Sequence, residues 1–193
     1  MSETTPEADL QDALEQTIGA GSFRVETLVA LEGLDHPGEA RYIAPDRFFQ
    51  EVSGPGGAKS VMVGKRFFVT LSLRSDRYFL WRSKCRFSIE LILPALRLVR
   101  HAKGVRLDGD RYVFRLADRG RGEARIENGK LTHLSLSHWL PLYRQRVEER
   151  YTFSDFGASL TIEPPPPSQI VQHSQFGDTP PLDPYTGSPL RCP

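Results

Sequence analysis

Cysteine is scarce in this 193-residue chain: Cys85 and Cys192 are all there is. Two thiols so far apart in sequence exclude a disulfide framework and a Cys-x-x-Cys metal motif. Net charge is also nearly absent, at +1, so bulk charge gives no argument for a nucleic-acid partner. No apolar run approaches the ~18 residues that a membrane-spanning helix needs. Met1–Leu10 is acidic and polar, unlike a signal peptide. The chain therefore reads as cytoplasmic, or as a mature chain whose export signal has been removed. Catalytic signatures are missing too. There is no Gly-x-Ser-x-Gly elbow and no phosphate-cradling glycine loop. His133 and His138 have opposite parity on one strand and cannot share a metal there. Cys85 stands among Arg82, Lys84 and Arg86, which favour a thiolate, but an ordinary cysteine is the commoner meaning. The reading is of a protein that is not an enzyme and takes no cofactor.

What is present is turn chemistry. Asn128-Gly129 is a strong hairpin signal, because both central positions of a type I′ turn need φ > 0. A two-residue loop there sets Glu127 opposite Lys130, Ile126 opposite Leu131 and Ala124 opposite His133. Gly64-Lys65 suits a type II′ turn between Ser60–Val63 and Arg66–Leu71. It places Met62 opposite Phe67 and Val61 opposite Phe68, so both faces of that hairpin are apolar. Such a sheet needs cover on both sides. Asp108-Gly109 marks a third hairpin, between Lys103–Leu107 and Arg111–Leu116. Further strands are expected at Phe23–Glu32, Glu39–Ala44, Arg47–Val52, Arg77–Arg82, Arg146–Phe153 and Ala158–Glu163, with a turn at Asp35–Gly38.

Two segments carry helical period instead. Pro6–Ile18 has acids in its first turns and an apolar stripe at Leu10, Ala13, Leu14 and Ile18. Ser88–Ala102 places Ile89, Ile92, Leu93, Leu96 and Val99 on one face, with Pro94 set to kink it or split it. The expected fold class is α+β, mostly β: a single curved antiparallel sheet, with the N-terminal helix and a middle helix over its concave face. Nine of the fifteen prolines fall in residues 164–193. The domain is therefore placed at 1–163, with 164–193 a proline-rich, irregular tail.

Charge is uneven along the chain. Residues 1–51 hold eleven acids against three bases, and residues 74–106 hold nine bases against two acids. The basic run Arg74–Arg106 is a candidate contact for an anionic membrane surface.

The order of these pieces is itself informative. Pro45-Asp46-Arg47 starts an early strand, Val63-Gly64 turns a hairpin, Trp81 sits on an aromatic strand before a helix, and Phe153–Pro164 closes the domain. Over about residues 8–165 the chain resembles the LolA-like lipoprotein-carrier superfamily, and within it the mycobacterial LppX/LprG-type envelope lipoproteins. The resemblance implies a half-open barrel whose apolar cavity, between sheet and helices, takes a lipid or acyl chain. It implies a cell-envelope location and no catalytic residues. The chain departs from the pattern in lacking a lipobox cysteine and in its proline-rich end. On this reading Met62, Phe67, Val69 and Leu71 would line the cavity from one hairpin. Ile126 and Leu131 would line it from another, and Ile92, Leu96 and Val99 would roof it. The expected partner is a lipid or acyl chain, with no nucleic acid, and the protein is expected to be a monomer. A sensor or protein-interaction module of the same fold, its cavity filled by its own side chains, is the alternative.

Overall fold

The computed structural model describes residues 5–54, 57–70, 72–83, 86, 88–141 and 144–171. Helix α1 (Pro6–Ile18) opens the chain. It is followed by β1 (Ser22–Leu31), β2 (Leu34–Ile43), β3 (Arg47–Val52), β4 (Lys59–Val63), β5 (Arg66–Thr70) and β6 (Tyr78–Arg82). Two short helices, α2 (Ile89–Ile92) and α3 (Pro94–Arg100), lead to β7 (Lys103–Asp108), β8 (Arg111–Arg115), β9 (Arg121–Glu127), β10 (Lys130–Leu140) and β11 (Gln145–Ser154). A two-residue strand, β12 (Ile170–Val171), ends the described chain. All twelve strands form one open sheet, in the order β12-β6-β5-β4-β3-β2-β1-β11-β10-β9-β8-β7. Two antiparallel meanders, β1 to β6 and β7 to β11, meet where β1 pairs with β11.

The connection between the meanders makes curvature necessary. Helices α2 and α3 carry the chain from β6, near one edge, to β7 at the other. Ten strand spacings of a flat sheet would separate them by about 48 Å. Eleven helical residues rise about 16 Å in total and nine extended ones at most about 30 Å, so a flat sheet would demand a taut, straight connector. The real connector bends at Leu93, with φ −117° and ψ 77°. The sheet therefore curls, and the helices lie across its concave face. The bend is the work of Pro94, which lacks an N–H and forces the preceding residue out of the helical region. The expected single helix is thus two. Ser88 does occupy the N-cap position of α2, but its side chain makes no capping bond.

Turns behave largely as their residues dictate. Asn128 and Gly129 have φ of 51° and 75°, as a type I′ turn requires. The first turn is displaced from its expected place. Leu31 pairs with Leu34 around Glu32-Gly33, whose φ values are both positive, and Asp35–Gly38 lies within β2. Pro37 is tolerated there because β3 pairs with β2 only from Gly38 onward, so no ladder partner calls for the N–H that proline lacks, while its carbonyl accepts the Ser53 N–H at 2.7 Å. The Asn-Gly hairpin also departs from the expected register. A bulge between Leu131 and His133 sets Ala124 opposite Leu134, with His133 opposite Arg125. Leu131 and Leu134 are thereby both buried, at 0% and 1% exposure.

The segment after β11 is not a strand. At Asp155 the chain turns back, but β11 is already flanked by β1 and β10 and offers no edge. Residues 158–163 instead run over the outer face of β2 to β6 as a strap. Ser22 Oγ donates to the Ala158 carbonyl at 2.7 Å, and Arg47 Nη1 donates to the Ile162 carbonyl at 2.9 Å. Ile162 is buried against Val61 and Phe68, with Phe49, Tyr78, Leu80 and Ile170 around it. The doubly apolar hairpin is therefore covered inside by the main core and outside by this strap. The expected tail begins within that cover: residues 164–171 remain on the sheet, and residues 172–193 lie outside the described chain.

Where the bulge begins, Thr17 of α1 takes the Leu131 N–H. Thr17 Oγ1 accepts that N–H at 2.9 Å while donating to the Ala13 carbonyl at 2.8 Å, with no exposure of its own. Replacing Thr17 by valine keeps the shape and strands a buried donor. Urea denaturation of Thr17→Val should show a loss of about 1–3 kcal/mol. An unchanged midpoint would mean that α1 docks through its apolar face alone.

Candidate functional site: the roofed concave face

The inner face of the sheet is apolar from edge to edge. Met62, Phe48, Tyr42 and Phe23 contribute from β4, β3, β2 and β1. Phe153 and Tyr151 follow from β11, then Leu134 and Leu136 from β10 and Phe114 from β8. Period-2 alternation brings them to one side. Against them pack Leu10, Ala13 and Leu14 of α1, Ile89 of α2, Leu93 between the two short helices, and Ala95, Leu96 and Val99 of α3.

The expected cavity-lining residues mostly converge here. Met62, Leu96, Val99 and Leu131 belong to this cluster and are all 0% exposed. Phe67, Ile92 and Ile126 are half-buried against it. Met62 faces Phe67, and Ile126 faces Leu131, in the expected registers. Val69 is half-buried on β5, opposite Ser60, and belongs to neither apolar cluster. Leu71 lies outside the described residues. Roof and sheet are in side-chain contact across this group.

Polar links hold the roof in place. Gln11 Nε2 donates to the Val99 carbonyl at 3.1 Å, joining α1 to α3. Arg100 at the end of α3 donates to Glu90 of α2 and, at 2.5 Å, to Glu15 of α1. The hydrogen bond to Glu90, then that to Glu15, pushes the guanidinium pKa above its ordinary value. Tyr112 on β8 has its phenol pKa raised by burial, with Asp9 of α1 adding to the effect. Burial, and after it Asp46, likewise raises that of Tyr42.

One polar group lies on the inner face itself, and the sequence pattern did not reveal it. His138 and Glu149 are 4% and 6% exposed, on neighbouring strands β10 and β11. Glu149 Oε2 accepts from the Tyr151 hydroxyl at 2.9 Å and lies 3.3 Å from His138 Nε2. The other ring nitrogen of His138 meets the Trp139 carbonyl at 3.1 Å. One legible signal was that His138 takes the parity of Leu134 and Leu136, which is the core parity. Glu149 likewise takes the parity of Val147, Tyr151 and Phe153, a signal masked by the charged run Glu148–Arg150 in which it lies. Among the described residues no group of three His, Cys, Asp or Glu side chains is gathered that could hold a metal ion.

Open grooves lie elsewhere. One of about 570 Å³ runs over the outer face of β7 to β9, lined by Arg106, Arg115 and Arg121 among others. Another, about 280 Å³, lies between the strap and Arg41, Phe49, Val61 and Tyr78. The basic run Arg74–Arg106 does not form one surface. Arg82 is on β6, Arg97 and Arg100 are on α3, and Lys103 and Arg106 are on β7, while Arg86 pairs with Asp46 at 3.1 Å.

No family model matches the chain, and no curated protein does. Solved structures are similar in fold. An uncharacterized conserved protein from Thermus thermophilus superposes with a TM-score of 0.53 at 12% identity, over 86% of this chain and 98% of its own. LprF from Mycobacterium bovis gives 0.47 at 13% identity, over 83% and 96%. A LolA-superfamily protein from Nitrosomonas europaea gives 0.39 at 12% identity, over 82% and 96%. The architecture is a single open, curved, mostly antiparallel sheet roofed by short helices.

The buried His138–Glu149 pair makes a clear prediction. Removing His138 takes away one of the groups that satisfy the buried Glu149 carboxylate, so His138→Leu should cost about 1–3 kcal/mol in urea denaturation. Adding Glu149→Leu to it should restore most of that loss. If the double variant is no better than the single, the pair is not coupled.

Proposed function

We propose that this protein is a non-enzymatic binding protein or carrier that takes an acyl chain or similar apolar ligand between its helical roof and the inner face of its sheet. The observation that supports this most is the continuous apolar contact between roof and inner face, in which Met62, Phe67, Ile92, Leu96, Val99, Ile126 and Leu131 all take part. The roof is short, broken at Pro94 and fastened near its end by Arg100. Lifting it from the sheet opens an apolar slot. Each ligand CH₂ entering that slot gains about 0.8 kcal/mol, so a single chain binds without a charged anchor. Val69, which the hairpin alternation places on the side of Phe67, would extend the slot toward its rim. His138, Glu149 and Tyr151 mark the end at which a polar head would be met.

No described helix is long and apolar enough to cross a membrane. A cell-envelope site of action, and a monomer, go with the carrier reading. The second reading is a sensor or interaction module of the same fold with a permanently filled core. It is favoured by the complete burial of Met62, Leu96, Val99 and Leu131 against their neighbours.

Uptake of a fluorescent fatty acid separates the two. Arg100→Ala should speed uptake severalfold while costing less than about 1 kcal/mol of stability, because the ion pairs it breaks are partly solvated. Leu96→Glu should abolish uptake and leave the β-type circular dichroism spectrum intact. Unfolding of Leu96→Glu together with no uptake by either wild type or Arg100→Ala would establish the filled-core reading. Lipid recovered by solvent extraction of the purified protein would support the carrier.

A further inference from the structure

The outer face of the β7–β10 end carries charge that the fold does not need. Register places Lys103 opposite Arg115, Arg115 opposite Arg121, and Arg121 opposite Ser137. Three cations thus stand in one row across three adjacent strands, all exposed. Like charges directly opposite one another destabilise a sheet. Neighbouring cations on the same face are neutralised: Arg111 binds Glu123 at 2.9 Å, and Arg125 binds Asp110 at 3.4 Å. Lys103, Arg106, Arg115 and Arg121 have no ion-pair partner among the described residues. The free acids nearby are Asp108, at the hairpin end of the groove, and Glu148, opposite Ser137. The row is also built in. Gly104, at φ 60° within the bulge of β7, lets the Arg115 guanidinium lie over its backbone, where a Cβ would come within 2.9 Å of Nη2. Two residues past Ser137 on the same face, Trp139 is 46% exposed, paired with Arg146 in register.

We propose that this outer face docks on an anionic lipid bilayer, with the Lys103–Arg115–Arg121 row and Arg106 meeting phosphate head groups and Trp139 seated among them. Cations spaced by the ~4.8 Å strand separation, on an open surface, can engage several phosphates of a lipid layer at once. A lone phosphate would engage only part of such an array, and no buried donor is present to enclose it. An exposed indole beside arginines suits the head-group level of a membrane. Trp139 is the only large apolar side chain exposed on this face among the described residues, so bases of a single-stranded nucleic acid would find no stacking platform. The surface does not depend on whether the core takes an acyl chain, and fatty-acid uptake reads that separately.

Co-sedimentation tests it, using vesicles containing phosphatidylglycerol and vesicles of phosphatidylcholine alone, each at low and physiological salt. Wild type should bind only the anionic vesicles, more weakly as salt rises. Arg115→Glu and Arg121→Glu should each weaken binding about tenfold or more. Trp139→Ala should weaken it further, in either background. Arg115→Glu should also leave the melting temperature unchanged or higher, since it turns two like-charged pairs into opposite ones. Equal binding to neutral vesicles, or undiminished binding by Arg115→Glu, would overturn the proposal. So would displacement from vesicles by glycerol phosphate, or by an oligonucleotide, at matched phosphate concentration.

Discussion

The pairing of β1 with β11 is the contact on which the rest of the structure depends. Every other antiparallel neighbour in the sheet follows from a short local turn between consecutive strands. Among the antiparallel pairs of the described residues only this one joins residues far apart in the chain, as Val25 with Phe153 and Thr27 with Tyr151. Once made, it fuses two meanders into a surface too wide to stay flat, because the α2–α3 connector cannot comfortably reach from edge to edge. Curvature, the concave face and the roof across it are consequences. So is the fate of residues 158–163, which leave the sheet because the edge they would have joined is occupied.

An apolar concave face has to be filled by something. Here short helices fill it, held by Thr17 against the bulge, by Gln11 to Val99, and by Arg100 between Glu15 and Glu90. Thr17 does more than pack: it satisfies the buried Leu131 N–H. The Arg100 links are exposed enough to exchange with water, so they bias the roof toward closure without making opening costly. A roof of this kind is compatible with a slot that is filled by the protein's own side chains until a longer apolar chain displaces them.

The outer face divides along the same seam. Over β2 to β6 it is apolar and covered by the proline-rich strap, which contributes Ile162 and brings β12 alongside β6. Over β7 to β10 it is open and cationic. A single sheet therefore presents a buried inner surface, a strapped outer surface and a charged one. The charged one sets like charges opposite one another, which works against sheet stability.

Local chemistry was readable directly. Asn128-Gly129 and Gly64-Lys65 sit at turns because few other pairs tolerate their φ values, and the register of Met62 with Phe67 follows from counting outward. Helix α1 was bounded by Pro6 and the glycines after Ile18, and the break at Pro94 by the ring's own sterics. Most of the inner-face residues were legible for the same reason, since period-2 and helical patterns assign faces without reference to partners. What the pattern could not supply was anything set by a distant segment. At the start of the Leu131–His133 bulge the backbone N–H is taken by Thr17, over a hundred residues earlier. Glu149 is buried because His138 and Tyr151 face the same side of neighbouring strands. Ala158–Glu163 has strand-like residues but no free edge. The basic run near Arg74–Arg106 disperses over β6, α3 and β7, while Lys103, Arg115 and Arg121, separated in sequence, become one row. Sequence determined where the chain turns and which faces are apolar, because those depend on neighbours a few residues away. Tertiary structure alone decided which polar groups are satisfied and which charges meet, because those depend on which strands lie side by side.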